Sequence, residues 1–144
     1  MDASIYPLEF LYDGNCRICR FDVARLQRAD RDSRLRFVDV AAPGFDAAAY
    51  GRPQEALLAR IHARRADGTL VEGVEVFRLA LAAVGHPRLA ALSRQPGLAC
   101  LSERAYTLFA RHRLSLSRRF GGIFAYLTPA CTDDACSLPA RGRP

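Results

Sequence analysis

The amino-acid sequence predicts an α/β domain: a small mixed sheet of order β-α-β-α-β-β-α, flanked by helices and followed by an extra C-terminal helical segment. Three observations carry this. Two strand-like runs near the beginning are separated by a stretch of helical period, the pattern of parallel strands joined by a crossover helix. An Asp67-Gly68 pair between extended runs is the strongest hairpin signal in the chain. Helical spacing then resumes after Gly73.

Leu8-Glu9-Phe10-Leu11-Tyr12 is the first strand, closed by the turn pair Asp13-Gly14. Asn15 is a favourable N-cap for the helix that follows, and Cys19, Val23 and Leu26 recur on one face of it. Leu35 to Val40 alternates with period two, and Pro43-Gly44 breaks that strand. Residues 45–50 form a short helix ending at Gly51, and Leu57 to Ala66 reads as extended. Thr69-Leu70-Val71 is the return strand of the hairpin. Val74, Phe77, Leu81 and Val84 take helical spacing that stops at Gly85 and Pro87. Leu98, Leu101, Ala105, Leu108 and Phe109 define a helix of about four turns, to which Ser115–Arg119 adds another. The chain is thus read as one domain over residues 1–128, with a core at about 7–86, a helical extension at about 88–119 and a flexible tail at 129–144.

Composition narrows the function. Half of the 144 residues are hydrophobic and a quarter are charged, which excludes wholesale disorder. The formal charge is +6, and all 21 basic residues are arginine. No Arg-rich run or nucleic-acid motif accompanies that charge, so no nucleic-acid partner is expected. The start Met1-Asp2-Ala3-Ser4 lacks the positive charge of an export signal. The longest uncharged run, Phe120–Thr132, falls short of the ~20 residues of a membrane span. A cytoplasmic setting follows, where thiols are kept reduced and cysteines serve reactivity or metal binding more than crosslinking.

The segment Asp13-Gly14-Asn15-Cys16-Arg17-Ile18-Cys19 places a C-x-x-C pair at the first turn of a helix leaving a strand. Unpaired N–H groups and the positive end of the helix dipole favour a thiolate there. Cys16 gains most, with Arg17 adding a charge beside it, and the i, i+3 spacing lets Cys19 attack a mixed disulfide formed on Cys16. On these grounds Cys16 is the nucleophile and Cys19 the resolving thiol of a dithiol/disulfide enzyme. Such a reaction needs no cofactor; its partners are a disulfide-containing substrate and an external thiol reductant.

The same residues resemble the DCC family of thiol-disulfide oxidoreductases, named for an aspartate and two cysteines, here Asp13, Cys16 and Cys19. The resemblance continues through Leu35–Asp39, Ile61-His62-Ala63, Asp67-Gly68, Gly73-Val74-Glu75-Val76-Phe77, Ala105-Tyr106 and Phe109-Ala110-Arg111, covering roughly residues 8–119. It implies a thioredoxin-like fold. It departs from thioredoxins and glutaredoxins in having no proline around Glu55 to Ala59, where those proteins carry a cis-proline facing the C-x-x-C.

Several residues have two readings. Asp13 is either a base or the residue that shapes the turn with Gly14 and Asn15. Asp39, at the end of the second strand, lies near Cys16 and either accepts a proton from Cys19 or caps the next turn. Gly73, Val74 and Glu75 either bind substrate, as the equivalent helix start does in glutaredoxin-like proteins, or simply initiate a helix. Cys16, Cys19, Cys131 and Cys136 have spacings compatible with a thiolate zinc site. Arg104, Arg111, Arg113, Arg118 and Arg119 are compatible with a basic face for an acidic partner, which would make the protein a redox-sensing adaptor. Cys100 is read as a small buried residue.

Overall fold

β1 (Leu8–Tyr12) is the strand around which the molecule is built. In this computed structural model, which describes residues 4–127, it runs parallel to β2 (Leu35–Asp39), in a register that sets Leu8 beside Leu35 and Tyr12 beside Asp39. Its other edge pairs antiparallel with β3 (His62–Arg64), which in turn pairs antiparallel with β4 (Leu70–Glu72). The sheet order is β2-β1-β3-β4. This four-stranded mixed sheet, flanked by helices, is consistent with a thioredoxin-like fold.

Because β1 is internal and covered on both faces, its sequence is apolar on both sides rather than cleanly alternating. Leu8 and Phe10 point to the face covered by α1 (Arg17–Ala29) and α3 (Val74–Ala83), where they join Val23, Val76 and Leu79. Leu11 points the other way, onto Val40 and Leu57 beneath α2 (Gln54–Ala59). Phe10 packs its ring against Phe37 and Phe77. The remaining helices are α4 (Pro87–Leu92) and the long α5 (Pro96–Leu127).

The strands at 8–12 and 35–39, the Asp67-Gly68 hairpin and α3 stand where the sequence puts them. Four expectations are corrected. The stretch from Leu57 to Ala66 is not extended throughout: Gln54–Ala59 is helical, capped by Pro53, and only His62–Arg64 is strand. Gln, Glu, Ala and Leu are all good helix formers, and a short alternation of leucine and alanine fits either period. The short helix at 45–50 is a 3-10 turn at Ala47–Tyr50, started by an Asp46 carboxylate that accepts the Ala48 N–H and ended by Gly51 at φ 64°. Pro87 does more than end α3; it stands in the first turn of α4, where its missing N–H costs nothing. Gly85, at φ 92°, separates the third and fourth helices, as the sequence reading has it.

The largest correction concerns α5. It is one continuous helix of 32 residues, and the leucine stripe does not face the core. Leu98, Leu101 and Leu108 are exposed, as is Cys100, while Tyr106 and Ser117 are the buried side chains among the described residues of α5. The inward face follows Ser102, Tyr106, Phe109, Arg113 and Ser117, a mostly polar stripe that packs on α1 and α3. The residues 128–144, including Cys131, Cys136 and the expected tail, lie outside the described residues.

Candidate active site

The turn after β1 is held by two aspartates. Asp13 Oδ1 accepts the Asn15 N–H at 3.0 Å, and the Asp13 carbonyl accepts the Cys16 N–H at 3.1 Å. This aspartate turn uses up the amide that would follow an N-cap at Asn15, so the helix begins one residue later, with Cys16 as its N-cap. Asp39 Oδ1 accepts the N–H groups of Gly14 and Ala41, each at 2.9 Å. Gly14 is required by contact: a Cβ there would stand 2.0 Å from Asp39 Oδ2. The parallel pairing of Tyr12 with Asp39 thus brings a second carboxylate to the turn, and its bonds are those of a turn brace.

Cys16 and Cys19 face each other across the first turn of α1. Cys16 Sγ accepts the Cys19 N–H at 3.3 Å, and the Cys19 thiol also donates to that sulfur. The Cys19 thiol contact, then its backbone N–H and the charge of Arg113, lower the Cys16 pKa from 9.0 to about 7, against burial and the charge of Asp13. The same sulfur–sulfur hydrogen bond, followed by burial and the charge on Cys16, pushes the Cys19 thiol up. One proton is therefore kept by Cys19 while Cys16 takes the negative charge. Exposure runs the other way. Cys16 is 0% exposed, and half-buried Cys19 lines a narrow cleft that opens to solvent.

That cleft has apolar walls from Phe10, Leu57, Phe77 and Phe109, with Asp13, Asp22, Arg60 and Arg113 among them. Burial raises the Asp22 carboxyl, opposed by Arg25. Gly73, at φ 71°, lies behind Arg60: a Cβ there would come 3.1 Å from Arg60 Nη2. Val74 is buried, and Glu75 is tied to Arg78 and Arg94, which makes this carboxylate a brace between α3 and the start of the helical extension. Gly73, Val74 and Glu75 are absent from the cleft lining, and Arg17 has an exposed side chain. The cation beside the thiols is Arg113.

Three residues of α5 complete the site, and the motif alone does not announce them. Arg113 Nη2 stands 3.5 Å from Asp13 Oδ2, with its side chain 12% exposed. Ser117 Oγ accepts the Arg17 N–H at 3.0 Å, satisfying an amide that α1 leaves open at its N-terminus. The Tyr106 hydroxyl accepts the Ile61 N–H at 2.7 Å, just before β3. A helical period that pairs Tyr106 with Arg113 and Ser117 was the signal available, and the leucines on the opposite face masked it. Arg104, Arg111, Arg118 and Arg119 remain exposed. His62 is a buried sheet residue, with Nδ1 2.8 Å from the Arg60 carbonyl and Nε2 in contact with Glu72 at 3.3 Å. Among the described residues, no cluster of three or more His, Cys, Asp or Glu is arranged to hold a metal ion, and the zinc set would draw on Cys131 and Cys136 outside them.

A family model described as DCC1-like thiol-disulfide oxidoreductase matches residues 10–119. A protein of Arabidopsis thaliana, described as "Uncharacterized protein At5g50100, chloroplastic", is 28% identical over 116 residues, which are 79% of this chain and 54% of the relative. The chain therefore spans about half the length of that relative. No solved structure matches. No helix among the described residues is long and apolar enough to cross a membrane.

Proposed function

The chain belongs to the DCC1-like thiol-disulfide oxidoreductase family, and from that premise we propose that Cys16 and Cys19 exchange two electrons with a disulfide substrate. The observation that carries the reading is the placement of the two sulfurs, with Cys16 at the N-cap of α1 and its Sγ accepting the Cys19 N–H at 3.3 Å, an arrangement that lowers the Cys16 thiol and raises that of Cys19. The Cys16 thiolate attacks one sulfur of the substrate disulfide. The S–S bond breaks, the first thiol leaves with a proton from the medium, and a mixed disulfide remains on Cys16. Cys19 then gives up its proton and attacks Cys16, releasing the second thiol and leaving the Cys16–Cys19 disulfide. An external thiol reductant restores the dithiol in a reducing compartment.

In this reading Asp13 holds the turn and Arg113 together and, lining the same cleft as Cys19, accepts the Cys19 proton. Asp39, Gly14 and Asn15 fix the turn geometry. The apolar cleft beside Cys19 receives the group next to the substrate sulfur, with Gly73 giving room for Arg60 at its edge. Titration of the purified protein with diamide tests this. The expected result is a loss of two mass units, with the bridge mapped to Cys16–Cys19, and reversal by dithiothreitol. Retention of disulfide exchange in Cys16→Ser would overturn it.

A further inference from the structure

Cys16 is the acidic thiol of the pair, yet none of its surface reaches solvent. A thiolate exchanges with a disulfide only when the incoming sulfur can approach it. The N-terminal motif does not close that approach by itself, since Cys16 stands at the open end of α1. The long helix α5 reaches this turn at two points. Ser117 accepts the N–H of Arg17, the residue after Cys16, and Arg113, about one turn earlier on α5, contacts Asp13 on the other side of Cys16. Two side chains of one helix thus bracket the sulfur.

We infer that the C-terminal half of α5 is a displaceable cover over Cys16, latched by Ser117 and Arg113, and that the thiol reacts only after this half has lifted. The inference deepens the dithiol reading and rests on it for the meaning of the thiol, though not for the fact of the cover.

The two halves of α5 are held differently. The first half is anchored at Tyr106: its hydroxyl meets the Ile61 N–H, its ring packs edge-on to Phe77, and Arg60 lies over the ring. The second half buries Ser117 and leaves Leu114, Phe120 and Ile123 exposed. Besides its packing on α1, its polar hold on the turn is one hydroxyl acceptor and one ion contact; Arg113 and Asp13 are both largely buried, and lifting the helix returns both charges to water rather than stranding either in the interior. Among its described side chains Leu116 is half-buried and no apolar one is fully buried, so the apolar burial that makes a docked helix hard to remove is small there. Lifting uncovers Cys16 and frees the Arg17 N–H, a donor at the positive helix end that an incoming sulfur or carbonyl can use. The local opening of such a weakly held segment lies well below global unfolding in free energy.

The test is carbamidomethylation of Cys16 by iodoacetamide in the full-length chain at pH 8, followed by peptide mass mapping. In the native protein the labelling rate is expected at least ten-fold below that of the urea-unfolded chain. Ser117→Ala is expected to raise the native rate at least five-fold, whereas Ser117→Thr, which keeps the hydroxyl, stays near the parent value. Native labelling as fast as in the unfolded chain, or a rate unmoved by Ser117→Ala, overturns the cover. Hydrogen exchange of the parent protein gives a readout that needs no variant: the Arg17 amide should exchange by local opening, far faster than the Phe10 amide. Exchange of Arg17 only through global unfolding again overturns the inference. Labelling does not depend on turnover, so the two readings fail separately. Slow, Ser117-dependent labelling with exchange activity intact in Cys16→Ser removes the dithiol role and leaves the cover standing.

Discussion

Leu8 and Leu108 are the same side chain in two regions held by different forces. Leu8 is fully buried at the start of β1, between α1, α3 and its strand neighbours, while Leu108 is 62% exposed on α5. The N-terminal β-α-β region is organised by apolar burial, and its polar groups serve the turn that carries Cys16. The long helix inverts this arrangement. Its Leu98, Leu101, Leu108 and Leu114 face water, and its polar contacts with the site run through Tyr106, Arg113 and Ser117. The difference separates two tasks. A helix docked by leucines would be a permanent wall, whereas one docked by a serine and an arginine can shield a sulfur and also release it.

The largest expected effect falls on chemistry in the first region. Cys16→Ser should lower disulfide exchange by at least about 100-fold, read as the rate of reduction of a chromogenic disulfide, because an alcohol does not replace a thiolate as nucleophile. Next comes the paired leucine substitution. Leu8→Ala should cost about 2–5 kcal/mol in urea unfolding, and Leu108→Ala should stay within about 0.5 kcal/mol. A large loss at Leu108 would show that α5 is held by a face other than the one described. Gly14→Ala should cost about 1–3 kcal/mol, since its Cβ would displace the Asp39 carboxylate from the turn, and thermal melting reads that loss.

The smallest effect is electrostatic. The Cys16 thiolate, read directly by its ultraviolet absorbance, should be lost as pH drops through about 7, where an ordinary thiol loses it already below 9.0. Arg113→Gln removes a cation that favours the thiolate, so the midpoint should move upward, toward the ordinary value. An unmoved midpoint would assign the acidity to the hydrogen bonds from Cys19 alone and would cut the link between the two regions.

The chemistry was legible because it is local. Asp13, Gly14, Cys16 and Cys19 sit within one strand–turn–helix, where residue spacing fixes relative position to within a helical turn. Even there, the N-cap moved from Asn15 to Cys16, because the Asp13 carbonyl took the Cys16 amide. The rule that parallel strands end together puts Asp39 near Cys16; the register sets it beside Tyr12, with its carboxylate on the Gly14 amide. Its two bonds to backbone amides follow from a meeting of β2 with the turn that spacing alone does not describe.

What the amino-acid sequence determined by itself is the parallel strand pair with its crossover helix, the hairpin at Asp67-Gly68 and two thiols at a helix start, all set by short-range periodicity and turn chemistry. Tertiary structure decided which face of α5 turns inward, that Arg113 rather than Arg17 is the cation at the thiols, and that Cys16 is covered. The physical reason is distance along the chain: Arg17 and Ser117 are 100 positions apart, and no local pattern reports which helix face will meet a hydrogen-bond donor supplied by the other end of the molecule.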